Sequence, residues 1–289
     1  MSDGRARAVT MLVVGACVIG LAPILVRLSA AGPAATGFWR LVFALPLLAL
    51  SSRGEPGGLS GTSRFAVMAG AAFALDLACW HYGIANTSVS KASVLANLTP
   101  LVVTAIAWFV FRQRPAPLFL IAVALSVTGG AVMALSKGAG VTGPNPLLGD
   151  ALSAGTSVWY ALYFLAMSAA RRRQGTRHVM FWSSLTGLPA LLFIAIVLGE
   201  RLMPATPGGW AACVGLGVVH VTGQGSIAWA LGRLPPSTAA VTVLVQPVVT
   251  TAVGWLLFGE LLSAWQAAGA ALVLAGVVLA QRASTPPKA

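Results

Sequence analysis

The sequence predicts an all-α polytopic membrane protein of ten transmembrane helices, arranged as two inverted five-helix repeats. Three observations carry that fold class. Of the 289 residues, 57% are hydrophobic and only 8% charged, with a mean hydropathy of +0.86, whereas a soluble domain carries about a quarter charged residues. Ten apolar stretches are each long enough to cross roughly 30 Å of hydrocarbon at about 1.5 Å per helical residue. Finally, Ser90 to Phe111 (SKASVLANLTPLVVTAIAWFVF) matches Ser237 to Phe258 (STAAVTVLVQPVVTTAVGWLLF) without a gap. Pro247 stands 147 residues after Pro100, and Ala92/Ala239, Val102/Val249, Thr104/Thr251, Trp108/Trp255 and Phe111/Phe258 coincide at the same offset. That spacing is about half the chain, the signature of an internal duplication.

The spans are expected at about 9–29, 34–52, 65–86, 90–111, 117–136, 148–170, 178–199, 209–230, 237–258 and 263–282. Turn chemistry separates them: Gly32-Pro33, Gly54 to Gly61, Arg112 to Pro117, Lys137 to Pro146, Pro204 to Gly209 and Leu234-Pro235-Pro236. The links are short, so neighbouring helices should run antiparallel. Residues 1–140 form the first repeat, 147–282 the second, and 283–289 a polar, Pro-rich tail expected to be disordered. Five spans per repeat is an odd number, so the second repeat enters the bilayer from the opposite face. Helix 4 and its echo, helix 9, then point in opposite directions. Inverted repeats with a site near the midplane are a transporter architecture.

Basic residues orient the chain. With the N-terminus in the cytoplasm, only Arg27, Arg40, Lys91, Lys137 and Arg201 of the 18 Lys and Arg residues fall outside the cytoplasmic face, and the Arg171–Arg173 run anchors it. The positive-inside rule therefore places both termini in the cytoplasm. The net charge of +12 belongs to those loops and does not call for nucleic acid. Cys17, Cys79 and Cys213 lie far apart in apolar runs and read as packing residues, not as a disulfide or metal set. Arg5 and Arg7 precede an apolar run without a clear cleavage site, so that run is read as the first span. No metal, cofactor or nucleotide motif is present, which argues against a primary pump. The absence of GxSxG, an acidic pair or HExxH argues against a membrane-embedded enzyme. A channel without alternating access is the other rival.

The chain resembles the EamA-type branch of the drug/metabolite transporter superfamily over about residues 10–282. The resemblance rests on the paired helix 4 and helix 9 segments. They end in Trp108-x-x-Phe111 and Trp255-x-x-Phe258, followed by the polar turns Arg112-Gln113-Arg114 and Gly259-Glu260. Arg40, the Gly149-Asp150 entry to helix 6, Trp159 and the basic exit at Arg171–Arg173 fit as well. It implies a secondary transporter of the cell inner membrane that moves small molecules across the lipid bilayer without a cofactor, as a monomer or a dimer. Aromatic residues on the polar faces make it similar to the bacterial amino-acid exporters, aromatic-amino-acid efflux proteins among them. Export of other metabolites or of cationic drugs is the alternative.

Polar groups inside the hydrocarbon are the candidate site, because they are costly there and tend to face a cavity. Arg40 and Asp76 are expected either to pair with each other or to bind the carboxylate and amine of a zwitterionic solute, an Arg fork suiting a carboxylate. His81 follows Trp80 and precedes Tyr82 on helix 3; it is read as a proton relay or as a packing residue. Gly217, His220 and Gln224 share one helical face, as do Thr156, Trp159, Tyr160 and Tyr163 on helix 6. Helix 4 offers Ser93 and Asn97, and helix 9 offers Thr242, Gln246 and Thr250. Pro100 and Pro247 are expected mid-helix, freeing the carbonyls of Ala96 and Val243 and acting as gates or as static kinks. Thr99 and Gln246, each just before its proline, are read as partners for the freed carbonyls or as cavity residues. Asp150, near a helix start, is expected to be structural. Trp39, Trp108, Trp210 and Trp255 are expected to anchor in the interface.

Overall fold

Apolar stretches of this chain become helices because a backbone N–H or C=O in hydrocarbon finds a partner only within its own segment. The computed structural model describes residues 3–55, 60–87, 89–136, 143–258 and 263–283. Lys137, Gly259, Glu260, the tail from 284 onward, and the side chains of Ser90, Trp255 and Phe258 lie outside the described residues.

Six expected spans are single helices: α3 (Pro33–Ser52), α4 (Arg64–Asn86), α7 (Pro117–Leu135), α8 (Pro146–Arg171), α9 (Thr176–Val197) and α14 (Ala264–Ala283). The last runs through Ala283, where the tail was expected to begin. The other four are broken. The first comprises α1 (Asp3–Ile19) and α2 (Ala22–Leu28), the fourth α5 (Val89–Ala96) and α6 (Thr99–Phe109). The eighth comprises α10 (Pro207–Val219), a π-helical turn at His220–Gln224 and α11 (Gly225–Leu231). The ninth comprises α12 (Pro236–Val243) and α13 (Val245–Phe258).

The expectation of kinked but continuous helices at Pro100 and Pro247 is therefore corrected. Each proline sits in or beside the first turn of a new helix, where its missing N–H costs nothing. Thr99 Oγ1 donates to the freed carbonyl of Ala96 at 2.9 Å, as its position beside Pro100 suggested. The break in the first span follows Gly20, whose carbonyl accepts Thr250 Oγ1 at 2.7 Å and so ties the break to α13.

Among the described residues, nine helical stretches are long and apolar enough to cross a membrane. The sixth expected span, α8, is 26 residues long but is not among those nine. It buries Ser153, Thr156, Ser157 and Ser168, and it packs against α4, α5 and α6. A helix enclosed by protein does not need the apolar surface that lipid demands.

Helices α3 and α9 lie side by side and run antiparallel. Glu200, just past α9, accepts the first backbone N–H groups of α3: Ala34 N to Oε1 at 3.0 Å and Ala35 N to Oε2 at 2.9 Å. Glu55, just past α3, does the same for α9: Arg177 N to Oε1 at 3.2 Å and His178 N to Oε2 at 3.1 Å. Each carboxylate satisfies donors that a helix start leaves open and complements the positive end of the helix dipole. Tyr82 Oη donates to Glu200 as well. Asp150, as expected, is structural: it accepts Thr87 Oγ1 at 2.7 Å and Lys91 Nζ at 3.3 Å, joining the start of α8 to the α4–α5 turn. Trp39 is held more firmly than an interfacial anchor, donating Nε1 to Leu202 O at 2.8 Å and meeting Trp210 edge-on at 4.7 Å. Cys17, Cys79 and Cys213 are free.

Glycines bring α7 and α14 into backbone contact. A Cβ on Gly129 would meet the Gly269 carbonyl at 2.6 Å, one on Gly269 would meet the Gly129 carbonyl at 2.7 Å, and one on Gly276 would meet the Ala122 carbonyl at 2.7 Å. Small residues of this kind let helices approach closely where no hydrophobic effect drives them together. Gly269→Leu should therefore push the pair apart at a cost of about 1–3 kcal/mol, the usual penalty of overpacking. Leu274→Ala, at a half-exposed position of α14, is the matched control. The expected result is a clear fall in detergent melting temperature for the first variant and little change for the second.

Candidate solute site between α3, α4, α8 and the π turn

The site is built around Phe73 on α4. Its ring lies 5.0 Å from that of Tyr163 on α8 and 5.3 Å from that of His220 in the π turn, and the Arg40 guanidinium of α3 sits 5.4 Å from its centroid. Four elements thus meet on one aromatic ring. Tyr160 stacks on Tyr163 at 5.8 Å with ring planes 2° apart, because residues three apart on α8 share a face. Tyr160 also lies within interaction range of Gln224, Gln246, Asp76 and Arg40. The structure therefore brings together Arg40, Asp76, Tyr160, Tyr163, His220, Gln224 and Gln246.

The two remaining sequence candidates stand apart. His81 is one to two turns along α4 from this group, its ring 5.0 Å from that of Trp80, with the backbone of Pro33 and the charge of Arg40 as its other neighbours. Asn97 is in the break between α5 and α6, and its amide packs on Gly130 of α7. Its fellows on the predicted faces are committed elsewhere too. Thr242 Oγ1 bonds Thr238 O at 2.8 Å and accepts from Gln281 Nε2 at 2.7 Å; Thr156 Oγ1 bonds Leu152 O. Gly217 is a close-packing point against Phe43 of α3. The helix-8 face drawn through Gly217, His220 and Gln224 is interrupted by the π turn, a device often found at functional sites.

Of the two alternatives for Arg40 and Asp76, the ion pair is not formed: among the described residues the two side chains do not come within 4 Å, and neither makes a hydrogen bond to protein. Both are buried, at 5% and 7% exposure. Arg40 Nε, both ring nitrogens of His81, Tyr163 Oη, His220 Nδ1, Gln224 Nε2 and Gln246 Nε2 are all buried without a protein partner. A buried polar atom left unsatisfied costs about 1–3 kcal/mol, more when charged. Folded proteins hold few of them, and each asks for a reason. Leaving His81 aside, the five such atoms of the group around Phe73 have a common reason if a polar solute satisfies them. The set is rich in donors: a guanidinium N–H, two amide N–H groups and a phenol. His220 Nδ1 joins them when Nε2 accepts from Ser184 Oγ, 3.0 Å away. Asp76 is the one carboxylate among them. Donors of this kind match a carboxylate, and a ring stack on Tyr160, Tyr163 and Phe73 matches an apolar or aromatic side chain.

Three contributors escaped the sequence reading. Phe73 is the hub, Ser184 fixes one nitrogen of His220, and Glu200 holds the start of the helix that carries Arg40. Phe73 and His220 are themselves 147 residues apart, and so are Gly70 and Gly217, so extending the repeat one helix upstream would have paired them.

Comparison with known proteins agrees with this architecture. The sequence pattern described as the EamA-like transporter family matches residues 6–135 and again 147–281. The chain is 26% identical over 240 residues to the pseudopaline exporter CntI of Pseudomonas aeruginosa, covering 81% of this chain and 78% of that one. It is 27% identical over 210 residues to an uncharacterized transporter of Archaeoglobus fulgidus, covering 72% and 73%. A solved structure described only as that of a protein superposes with a TM-score of 0.80 over 94% of this chain and 97% of its own, at 18% identity, which speaks for the fold alone.

Proposed function

We propose, from the premise that this chain belongs to the EamA-like transporter family, that it exports small carboxylate-bearing metabolites of the amino-acid type across the inner membrane. The observation that carries the substrate class is the buried, unpaired Arg40 surrounded by unsatisfied neutral donors. An Arg fork and two amides give a carboxylate its hydrogen bonds, Asp76 receives an ammonium, and the Tyr160–Tyr163–Phe73 stack receives the side chain. A relative that exports pseudopaline supports outward movement of a small metabolite. Aromatic amino acids are the finer reading, favoured by the ring stack. A cationic solute is the second reading, favoured by Asp76, which has no protein partner.

The proposed mechanism is alternating access between two inverted repeats with both termini in the cytoplasm. The reciprocal caps support inversion, since Glu55 and Glu200 occupy matching places after the second helix of each half and each caps the other's helix. The breaks at Pro100 and Pro247 are the proposed gates. Each separates two short helices by one or two residues, so small dihedral changes there swing a half-helix without unmaking a long hydrogen-bonded ladder.

Efflux from preloaded proteoliposomes, with a panel of labelled amino acids and with or without a pH gradient, tests the reading. Saturable release that unlabelled Phe, Tyr or Thr inhibits is the expected result. Release of organic cations but of no amino acid would hand the site to the second reading, and release of neither would remove the carboxylate assignment.

A further inference from the structure

We infer that Arg7, Trp229 and Arg233 form a binding site for the phosphate of an anionic phospholipid where α1 and α11 pack together. Two guanidiniums share one indole there. Arg233 Cζ lies 3.6 Å and Arg7 Cζ 5.7 Å from the Trp229 ring, although the two residues are far apart in sequence. Arg233 is also fixed by its Nη1, which donates to Trp229 O at 3.1 Å. Arg171, from the end of α8, lies over Gly232, where a Cβ would meet its Nη2 at 3.1 Å, and so adds a third positive charge next to Arg233, partly offset by the Glu55 carboxylate. Neither Arg7 nor Arg233 meets a carboxylate within 4 Å among the described residues. Burial and the neighbouring Arg7 push the Arg233 guanidinium below its usual range. Like charges gathered in this way repel one another until an anion joins them, and planar guanidinium forks suit phosphate oxygens.

The surroundings identify the anion as a lipid and not a soluble phosphate. Arg7 and Val14 are seven residues apart and so share a face of α1, and Leu21 follows in the break after it. Val14 is 47% exposed and Leu21 37% exposed, which makes that face an apolar stripe leading away from Arg7. Helix α10 presents Val214 and Val218, each 45% exposed, on the neighbouring span. Helices α1 and α11 pack together, so the spans that carry these residues are neighbours at the guanidinium pair. An acyl chain lying on this surface puts its headgroup at Arg7 and Arg233, with the Trp229 indole at the level where amphipathic rings settle in membranes. The site is separate from the solute site, and its test does not depend on the proposed substrate.

The experiment is thermal unfolding of the full chain in neutral detergent, titrated with phosphatidylglycerol, phosphatidylcholine or inorganic phosphate. Phosphatidylglycerol should raise the melting temperature in a saturable manner, and the other two should not. The double variant Arg7→Gln/Arg233→Gln should lose most of that shift, with at least a tenfold weaker midpoint. Arg64→Gln, a basic residue outside the cluster, should keep it. Arg7→Lys/Arg233→Lys, which retains charge without the fork, should fall between them and serves if the Gln pair does not fold. Equal shifts in the wild type and the Gln or Lys pair would overturn the site. An equal effect of Arg64→Gln would reduce it to general surface charge, and an equal shift with inorganic phosphate would overturn the lipid assignment.

Discussion

Arg40→Gln should abolish saturable transport while leaving the melting temperature unchanged or raised. A buried guanidinium ordinarily stabilises a fold through its partners, and truncating one then leaves a partner unpaired. Arg40 has no ion pair and no hydrogen bond to protein; its one specific contact is the face of Phe73. Its removal therefore strands no hydrogen-bond partner and relieves the desolvation of a buried guanidinium, which costs several kcal/mol, an effect offset in part by taking a positive charge away from the equally buried Asp76. A bound carboxylate, in contrast, loses a charge-assisted, two-pronged contact. At about 1.5–3 kcal/mol for each such bond, the loss amounts to roughly 10²–10⁴ in apparent affinity. Arg40→Lys should recover part of the affinity, because an ammonium supplies charge without the planar fork. Efflux kinetics and melting curves on the same preparations check this. A steep fall in melting temperature with near-normal efflux would show Arg40 to be a structural residue and would remove the central contact of the site.

Residue patterns disclosed the helices and the duplication because both are one-dimensional. Hydropathy identified even α8, whose polarity is explained only by its place between α4, α5 and α6. Pro100 and Pro247 marked where the helix is disturbed but not that it breaks, since a continuous helix and two short ones differ only in how the residues before the proline are satisfied. Here Thr99 took that role for Ala96. The π turn left no such mark, since His220–Gln224 contains no proline and fits a regular helical face just as well. Of the site residues, those on α3, α8, the π turn and α13 converge with Asp76 of α4, because each is the polar group on the inward face of its span, whereas His81 lies further along α4. Asn97 failed the same test because the break before Pro100 turns it towards Gly130. Glu55 and Glu200 were illegible for another reason. They follow their helices in loops, where a carboxylate is unremarkable, and their partners are backbone amides of a helix more than a hundred residues away.

Those two carboxylates support the other large prediction. Glu200→Ala should destabilise the protein by about 2–3 kcal/mol, and Glu55→Ala by about 1 kcal/mol. A lost N-cap costs about 0.5–2 kcal/mol. Glu200 serves two N–H groups and the Tyr82 hydroxyl, whereas Glu55 serves two N–H groups near the surface. The more telling outcome is where each effect appears. Helices α3 and α9 are clasped at both ends, and because they run antiparallel the two clasps lie at opposite ends of the pair. Hydrogen exchange should accelerate at amides 34–36 in Glu200→Ala and at amides 176–179 in Glu55→Ala, each with little change at the other end. Under alternating access the two faces open in turn, so one clasp must be able to loosen while the other holds. Each variant would then favour opening at its own face, and the two should shift transport asymmetrically: one slows solute entry, the other release. If either substitution loosened both ends together, α3 and α9 would be a single rigid unit, and opening would have to occur at the Pro100 and Pro247 breaks alone.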